Sequence, residues 1–151
     1  MRGGWAGDDG SVSHRILENM KSTTIGRPIA DAIREHGTKI RFGATDEGAI
    51  AQFDPTTNEI TIHESLKDAD PSILAAHMAH EGTHVQWGEP DSIDQEYHAF
   101  KAQAEVWDEL KGDQADRQCD WVSEMIAKGE TEAEAEIRQM YPELPEYYRS
   151  P

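Results

Sequence analysis

The sequence predicts an α+β domain in which a small, mostly antiparallel sheet packs on helices. Two observations carry that reading. The hydrophobic period changes from helical to two over residues 38–63 and returns to helical from residue 70. Within the period-two region, DPTTN separates the short runs AIAQF and EITIH, placing proline and asparagine where a turn wants them.

Residues 1–12 are Gly- and Asp-rich and aperiodic, and read as a flexible arm. SHRILENMKSTTI (13–25) predicts a short helix, and RPIADAIREHG (27–37) a second one closed by Gly37 at the C′ position. TKIRFG (38–43) alternates Ile40 and Phe42 with charges, as a half-buried strand does. AIAQF (49–53) and EITIH (59–63) form the hairpin. Asp70 is an N-cap residue and Pro71 suits the first helical position, so a helix is expected from Pro71 to Trp87, ending at Gly88-Glu89-Pro90. Ser92-Ile93-Asp94-Gln95 is a capping box that opens a further helix to about Lys111. A helix over Asp113–Lys128 and a short one from the box Thr131–Glu134 to about Tyr141 complete the set, before the irregular tail PELPEYYRSP. Residues 13–111 thus form the main domain, and 112–151 a helical extension and tail of the same compact unit.

The length of 151 residues suits one domain with a real core. Thirty acidic against 14 basic residues, a net charge of −16, exclude a phosphate-backbone binder and an anionic membrane surface. The single cysteine, Cys119, excludes an intramolecular disulfide framework and an all-cysteine zinc site. MRGGWAGDDG has no apolar signal region and no run approaches membrane-spanning length, so the expected location is cytoplasmic.

Chemistry concentrates in AAHMAHEGTHVQW (75–87), which contains His80-Glu81-Gly82-Thr83-His84, an H-E-x-x-H motif. Four residues of helix turn through about 400° and rise roughly 6 Å, so both imidazoles share one face and can converge on one Zn²⁺. Glu81 points about 100° away, beside the ion, where a base accepts a proton from an activated water. A catalytic zinc needs a third protein ligand. The following helix offers Asp94, Glu96, His98, Glu105, Asp108 and Glu109. Only Glu96 falls in the middle of the apolar face, among Ile93, Ala99, Phe100, Ala104, Val106, Trp107 and Leu110. Glu105 falls about 180° away with Asp94, His98, Lys101 and Asp108. A lone carboxylate in a core is costly unless something compensates its charge. One zinc per chain, held by His80, His84 and Glu96, is the expectation.

With these residues the chain resembles the gluzincin-type zinc metallopeptidases, in which H-E-x-x-H and a downstream glutamate hold the metal. It is most similar to their minimal single-domain members and to the ImmA/IrrE-type proteases, over about residues 27–111. The resemblance implies a zincin-like domain, with a small sheet before the motif helix and a glutamate helix after it. It implies His80, His84 and Glu96 as ligands, Glu81 as general base, and a peptide or protein as substrate. It also implies that EITIH is the edge strand that aligns an extended peptide. The gap between His84 and Glu96 is shorter than in the larger thermolysin-like members, and no motif supplies the Tyr or His that steadies the oxyanion.

Other residues carry two readings each. His77, three before His80, is a packed histidine or a partner of the metal site. His63 ends its strand and either caps it or approaches the cleft. Tyr97 is a core-edge tyrosine or an oxyanion donor. Cys119 is a small buried residue or a thiol that reaches the zinc. Trp87, Phe100, Trp107 and Trp121 have core spacing. The tail residues Glu143, Glu146, Tyr147 and Tyr148 either end an ordinary helix or fold into the cleft as an autoinhibitory segment. The expected function is zinc-dependent peptide-bond hydrolysis. The alternatives are a catalytically inert zincin-like module used for partner recognition, and metal-dependent hydrolysis of another bond.

Overall fold

The computed structural model describes residues 10–146. Its elements run α1 (Gly10–Lys21), α2 (Gly26–Glu35), β1 (Lys39–Gly43), β2 (Ala51–Asp54), β3 (Glu59–His63), a 3-10 turn (Glu64–Leu66), α3 (Pro71–Trp87), α4 (Ile93–Leu110), α5 (Arg117–Ala127) and α6 (Glu130–Met140). The class is α+β. Of the arm read over 1–12, residues 10–12 already belong to α1, and 1–9 lie outside the described residues.

The sheet is mixed rather than mostly antiparallel. Its order is β1-β3-β2, with β1 parallel to β3 and β2 antiparallel to it. EITIH is therefore the central strand, not the edge. Ile60, Thr61 and Ile62 are consecutive and all buried, as befits a strand covered on both faces. The edge next to the motif helix is β2.

Local chemistry explains most helix ends. Gly37 sits at φ +63 after α2, and the bonds Thr38 N–H to Ile33 O and Gly37 N–H to Arg34 O make a Schellman motif. Asp70 accepts from Ser72 N–H (2.9 Å) with Pro71 behind it. Ser92 accepts from Gln95 N–H (3.0 Å). The extension differs from expectation. Asp116 caps α5 by accepting from Cys119 N–H (3.0 Å), so the helix starts at Arg117 rather than Asp113. Thr131 lies inside the first turn of α6, whose N-cap is Gly129 with no side-chain cap, so the expected box is not formed.

α3 occupies the middle. Its residues Leu74–Thr83 are all buried, between α1, α2 and the sheet on one side and α4 on the other. Gly82 allows this closeness: a Cβ there would come within 2.4 Å of Ile29 Cγ2 and 2.8 Å of Ile33 Cδ1 on α2. α4 splits its apolar face. Ile93, Tyr97, Phe100 and Ala104 pack with α5 and α6, whereas Ala102 and Val106 join the core around α3. Trp107 and Phe100 are core residues as their spacing predicts, but Trp87 and Trp121 are 45% and 38% exposed. Trp87 closes α3 against the ring of His98 instead (centroids 4.9 Å). Among the described residues no helix is long and apolar enough to cross a membrane.

Candidate metal centre

The five residues Gly88–Ser92 turn the chain so that α4 packs along α3. This brings Glu96 to both motif histidines. His80 Nε2 lies 3.4 Å from Glu96 Oε1, and His84 Nε2 lies 3.2 Å from Glu96 Oε2. One donor atom from each of the three falls within 4.8 Å of the others. Two ligands about 2.0–2.1 Å from one tetrahedral ion stand about 3.3 Å apart, so these spacings suit a zinc. All three side chains are largely buried, Glu96 most of all (residue exposure 4%).

Two glutamines aim the imidazoles. His80 Nδ1–H donates to Gln103 Oε1 (3.1 Å), and His84 Nδ1–H donates to Gln95 Oε1. The Gln95 amide is fixed by its own donation to Gly88 O (2.9 Å). A carbonyl oxygen only accepts, so each Nδ1 must carry the hydrogen and each Nε2 is turned toward Glu96. Phe100 packs edge-on against His80 (centroids 4.5 Å) and holds its plane.

The residues fit a cation by a second test. Among the described residues, Glu96 Oε1 is a buried acceptor without a hydrogen bond. It faces His80 Nε2, which carries a lone pair once Nδ1 is protonated. Two lone pairs at 3.4 Å repel, and a divalent ion between them removes the conflict.

The electrostatics follow from the same contacts. Burial pushes the His84 imidazolium down, but the hydrogen bond and charge of Glu96 outweigh it and raise its pKa to about 10. Burial pushes Glu96 up, and the closeness of His80 and His84 to its two oxygens more than reverses this, holding it well below the carboxylate range. Burial and the neighbouring Glu96 carboxylate raise Asp91 to about 7. Burial, with a smaller push from His80, lowers His77 to about 4, leaving it neutral.

A cleft of about 320 Å³ opens over the cluster, lined by Ala51, Gln52 and Phe53 from β2, by Glu81 beside the histidines, and by Tyr141 at the end of α6. Asp46, Glu89 and Asp91 also line it, with no lysine or arginine among the described residues. Burial and then the charges of Glu96 and Glu81 push the Tyr141 phenol above its usual range, so it remains a donor.

The other sequence candidates take places away from His80, His84 and Glu96. His63 caps the 3-10 turn through Ser65 N–H (3.0 Å). His98 pairs with Asp94 (3.6 Å) and Glu105 with Lys101 (3.1 Å), both on the outer face of α4. Tyr97 packs in the core with α5 and α6. Cys119 is buried against His77 (Sγ to Nε2, 3.9 Å) rather than beside His80, His84 and Glu96. In the tail, Glu143 is exposed and Glu146 pairs with Arg138 (2.7 and 2.8 Å), while Tyr147 and Tyr148 lie outside the described residues. The backbone there braces the glutamate helix: Ile93 N–H donates to Pro145 O (2.8 Å) and Asp94 N–H to Glu146 O (3.0 Å).

Gln95, Gln103 and Tyr141 belong to the site and are absent from the sequence reading. Gln103 had a signal. It follows Glu96 by seven residues, two turns along the same apolar face, and is itself a lone polar side chain there. Gln95 was placed in a capping box, where its side chain would bond Ser92 N–H. Asp91 takes that bond (2.8 Å) and frees Gln95 for His84. No family model matches this chain, nor does any curated protein or solved structure.

Proposed function

We propose that this chain is a zinc-dependent peptidase of the gluzincin type, built on a minimal zincin-like domain. The observation that carries the reading is the meeting of His80 Nε2, His84 Nε2 and the Glu96 carboxylate, with both Nδ1 atoms held by glutamine oxygens. His80, His84 and Glu96 would hold one Zn²⁺ beside the cleft. A zinc bound there lowers the pKa of water toward neutrality and polarises a carbonyl.

The chain's own residues supply the rest. Glu81, beside the histidines in the cleft, takes the proton of the attacking water and passes it to the leaving amine. Tyr141 donates its phenolic hydrogen toward the developing oxyanion, the part for which the sequence offers no motif. Among the described residues β2 has a strand on one side only, so its free edge can align an extended peptide along the cleft. The acidic lining favours peptides with basic residues near the scissile bond.

The test is Glu81→Gln against wild type, both loaded with zinc, on a peptide library rich in Lys and Arg. The variant is expected to keep one zinc at this site and lose about 10²–10⁴-fold in turnover. Equal turnover removes Glu81 as base. No turnover by fully loaded wild type leaves the partner-recognition module as the reading.

A further inference from the structure

A second cluster of ligand-type side chains lies one helical turn before the first. His77 on α3, Asp116 at the N-cap of α5 and Cys119 in the first turn of α5 bring an imidazole nitrogen, a carboxylate oxygen and a sulfur within 4.8 Å of one another. His77 and Cys119 are buried and Asp116 half-buried. None of the three takes part in the proposed hydrolysis.

A hydrogen-bonded knot satisfies this arrangement poorly. A thiol is a weak donor and a weak acceptor. His77 Nε2 stands 3.9 Å from Cys119 Sγ, long for a bond that would have to hold a buried imidazole. Gln103 adds an independent sign. Its oxygen serves His80, while its amide nitrogen is buried without a hydrogen bond among the described residues. Burial and the adjacent Asp116 carboxylate push the Cys119 thiol well above its usual range, and the Gln103 amide beside the sulfur opposes them only in part. A metal-bound thiolate is a far stronger acceptor for this amide than the neutral thiol.

We propose that His77, Asp116 and Cys119 form a second transition-metal site, for Zn²⁺ or a similar divalent ion of mixed nitrogen, sulfur and oxygen preference. It shares no ligand with His80, His84 and Glu96. A nitrogen and a sulfur on one tetrahedral zinc stand about 3.6 Å apart, a few tenths of an ångström less than the 3.9 Å between His77 Nε2 and Cys119 Sγ. Binding replaces the S–H bond by a metal–sulfur bond and releases the proton to solvent. Thiolate and carboxylate then balance the divalent charge. Of the three, His77 lines an opening that it shares with His80, Glu81, Gln118 and Trp121. The ion would tie α5 to α3 directly behind the first site, joined to it through Gln103.

The sequence has one cysteine, which makes the test specific. The full chain is freed of metal, loaded with Co²⁺ and read for thiolate-to-cobalt charge transfer in the near ultraviolet. Bound metal is counted in parallel by elemental analysis after gel filtration. Wild type is expected to hold two ions per chain and show the band. Cys119→Ser and His77→Gln should each hold one ion and lose the band, with circular dichroism confirming the fold. Glu96→Ala should keep the band while losing the other ion, so failure of the first site and failure of the second are told apart. Wild type without the band overturns the proposal, as does a band of unchanged strength in His77→Gln.

Discussion

Replacing Gln95 tests whether the glutamines orient the histidines. Gln95→Leu removes the oxygen that accepts from His84 Nδ1–H and the amide that donates to Gly88 O at 2.9 Å. His84 is then free to rotate or to take the tautomer that puts hydrogen on Nε2, which cannot bind a metal. Loss of such an outer hydrogen bond typically lowers metal affinity about 10–100-fold, or about 1.4–2.7 kcal/mol. The structure narrows that range. Asp91 Oδ1 stands 3.7 Å from the same Nδ1 and can move in as a substitute acceptor, so the loss at Gln95 should sit near tenfold. No second acceptor is recorded for His80 Nδ1 among the described residues, so Gln103→Leu should sit nearer a hundredfold. Gln95→Glu keeps an acceptor in place and should bind within a few-fold of wild type. Competition for zinc with a chromophoric chelator at fixed pH measures all four proteins. Wild-type affinity in Gln95→Leu refutes the argument, as does a larger loss at Gln95 than at Gln103.

Glu96→Ala should lower zinc affinity at the first site by at least about a hundredfold, because it removes a direct ligand, whereas Glu105→Ala, which breaks only a surface pair with Lys101, should leave it unchanged in the same competition assay. Zinc binding should release about one proton from His84 at pH values below its raised pKa of about 10, and apparent affinity should rise with pH up to that value and flatten above it; calorimetry in buffers of different ionisation enthalpy counts the proton. Gly82→Ala adds a methyl group 2.4 Å from Ile29 Cγ2, and an overpacking cost of about 1–3 kcal/mol should exceed the helix-propensity gain of about 1 kcal/mol; a lowered urea midpoint at unchanged slope is the expected result.

What the sequence made legible follows the range of each interaction. The ends of α3 are written in adjacent residues, Asp70-Pro71 and Gly88, and match the structure. Glu96 could be separated from Glu105 because a helix fixes which side chains share a face, and the apolar face must turn inward. The sheet order was not legible, since DPTTN specifies that β2 and β3 pair but not on which side of β3 the parallel strand β1 adds. Tyr141 was invisible for the same reason. Nothing in QMYPELP tells that the end of α6 lands over α3, a placement made by Ala133 and Ile137 packing against α4 and α5. Trp87 and Trp121 misled in the opposite sense, because periodicity marks a face as apolar without showing where the neighbouring helix ends.

The pattern of unmet hydrogen bonds locates function more sharply than the histidine count does. α3 is buried along ten consecutive residues, so its three histidines and Glu81 have little access to bulk water and must find partners inside the protein. Most polar groups there do so, through Gln95, Gln103 and Glu96. The buried side-chain atoms left without a partner among the described residues are Glu96 Oε1 and Gln103 Nε2. Both project from α4, two turns apart on one face. One is an acceptor facing the His80 imidazole, and the other a donor beside a sulfur. A core selected for packing alone would bury apolar groups at these positions at lower cost. Each unmet atom instead adjoins a group of three side chains that could hold a metal, and in each case a bound cation would give it a partner: directly for the Glu96 oxygen, and through a Cys119 thiolate for the Gln103 amide.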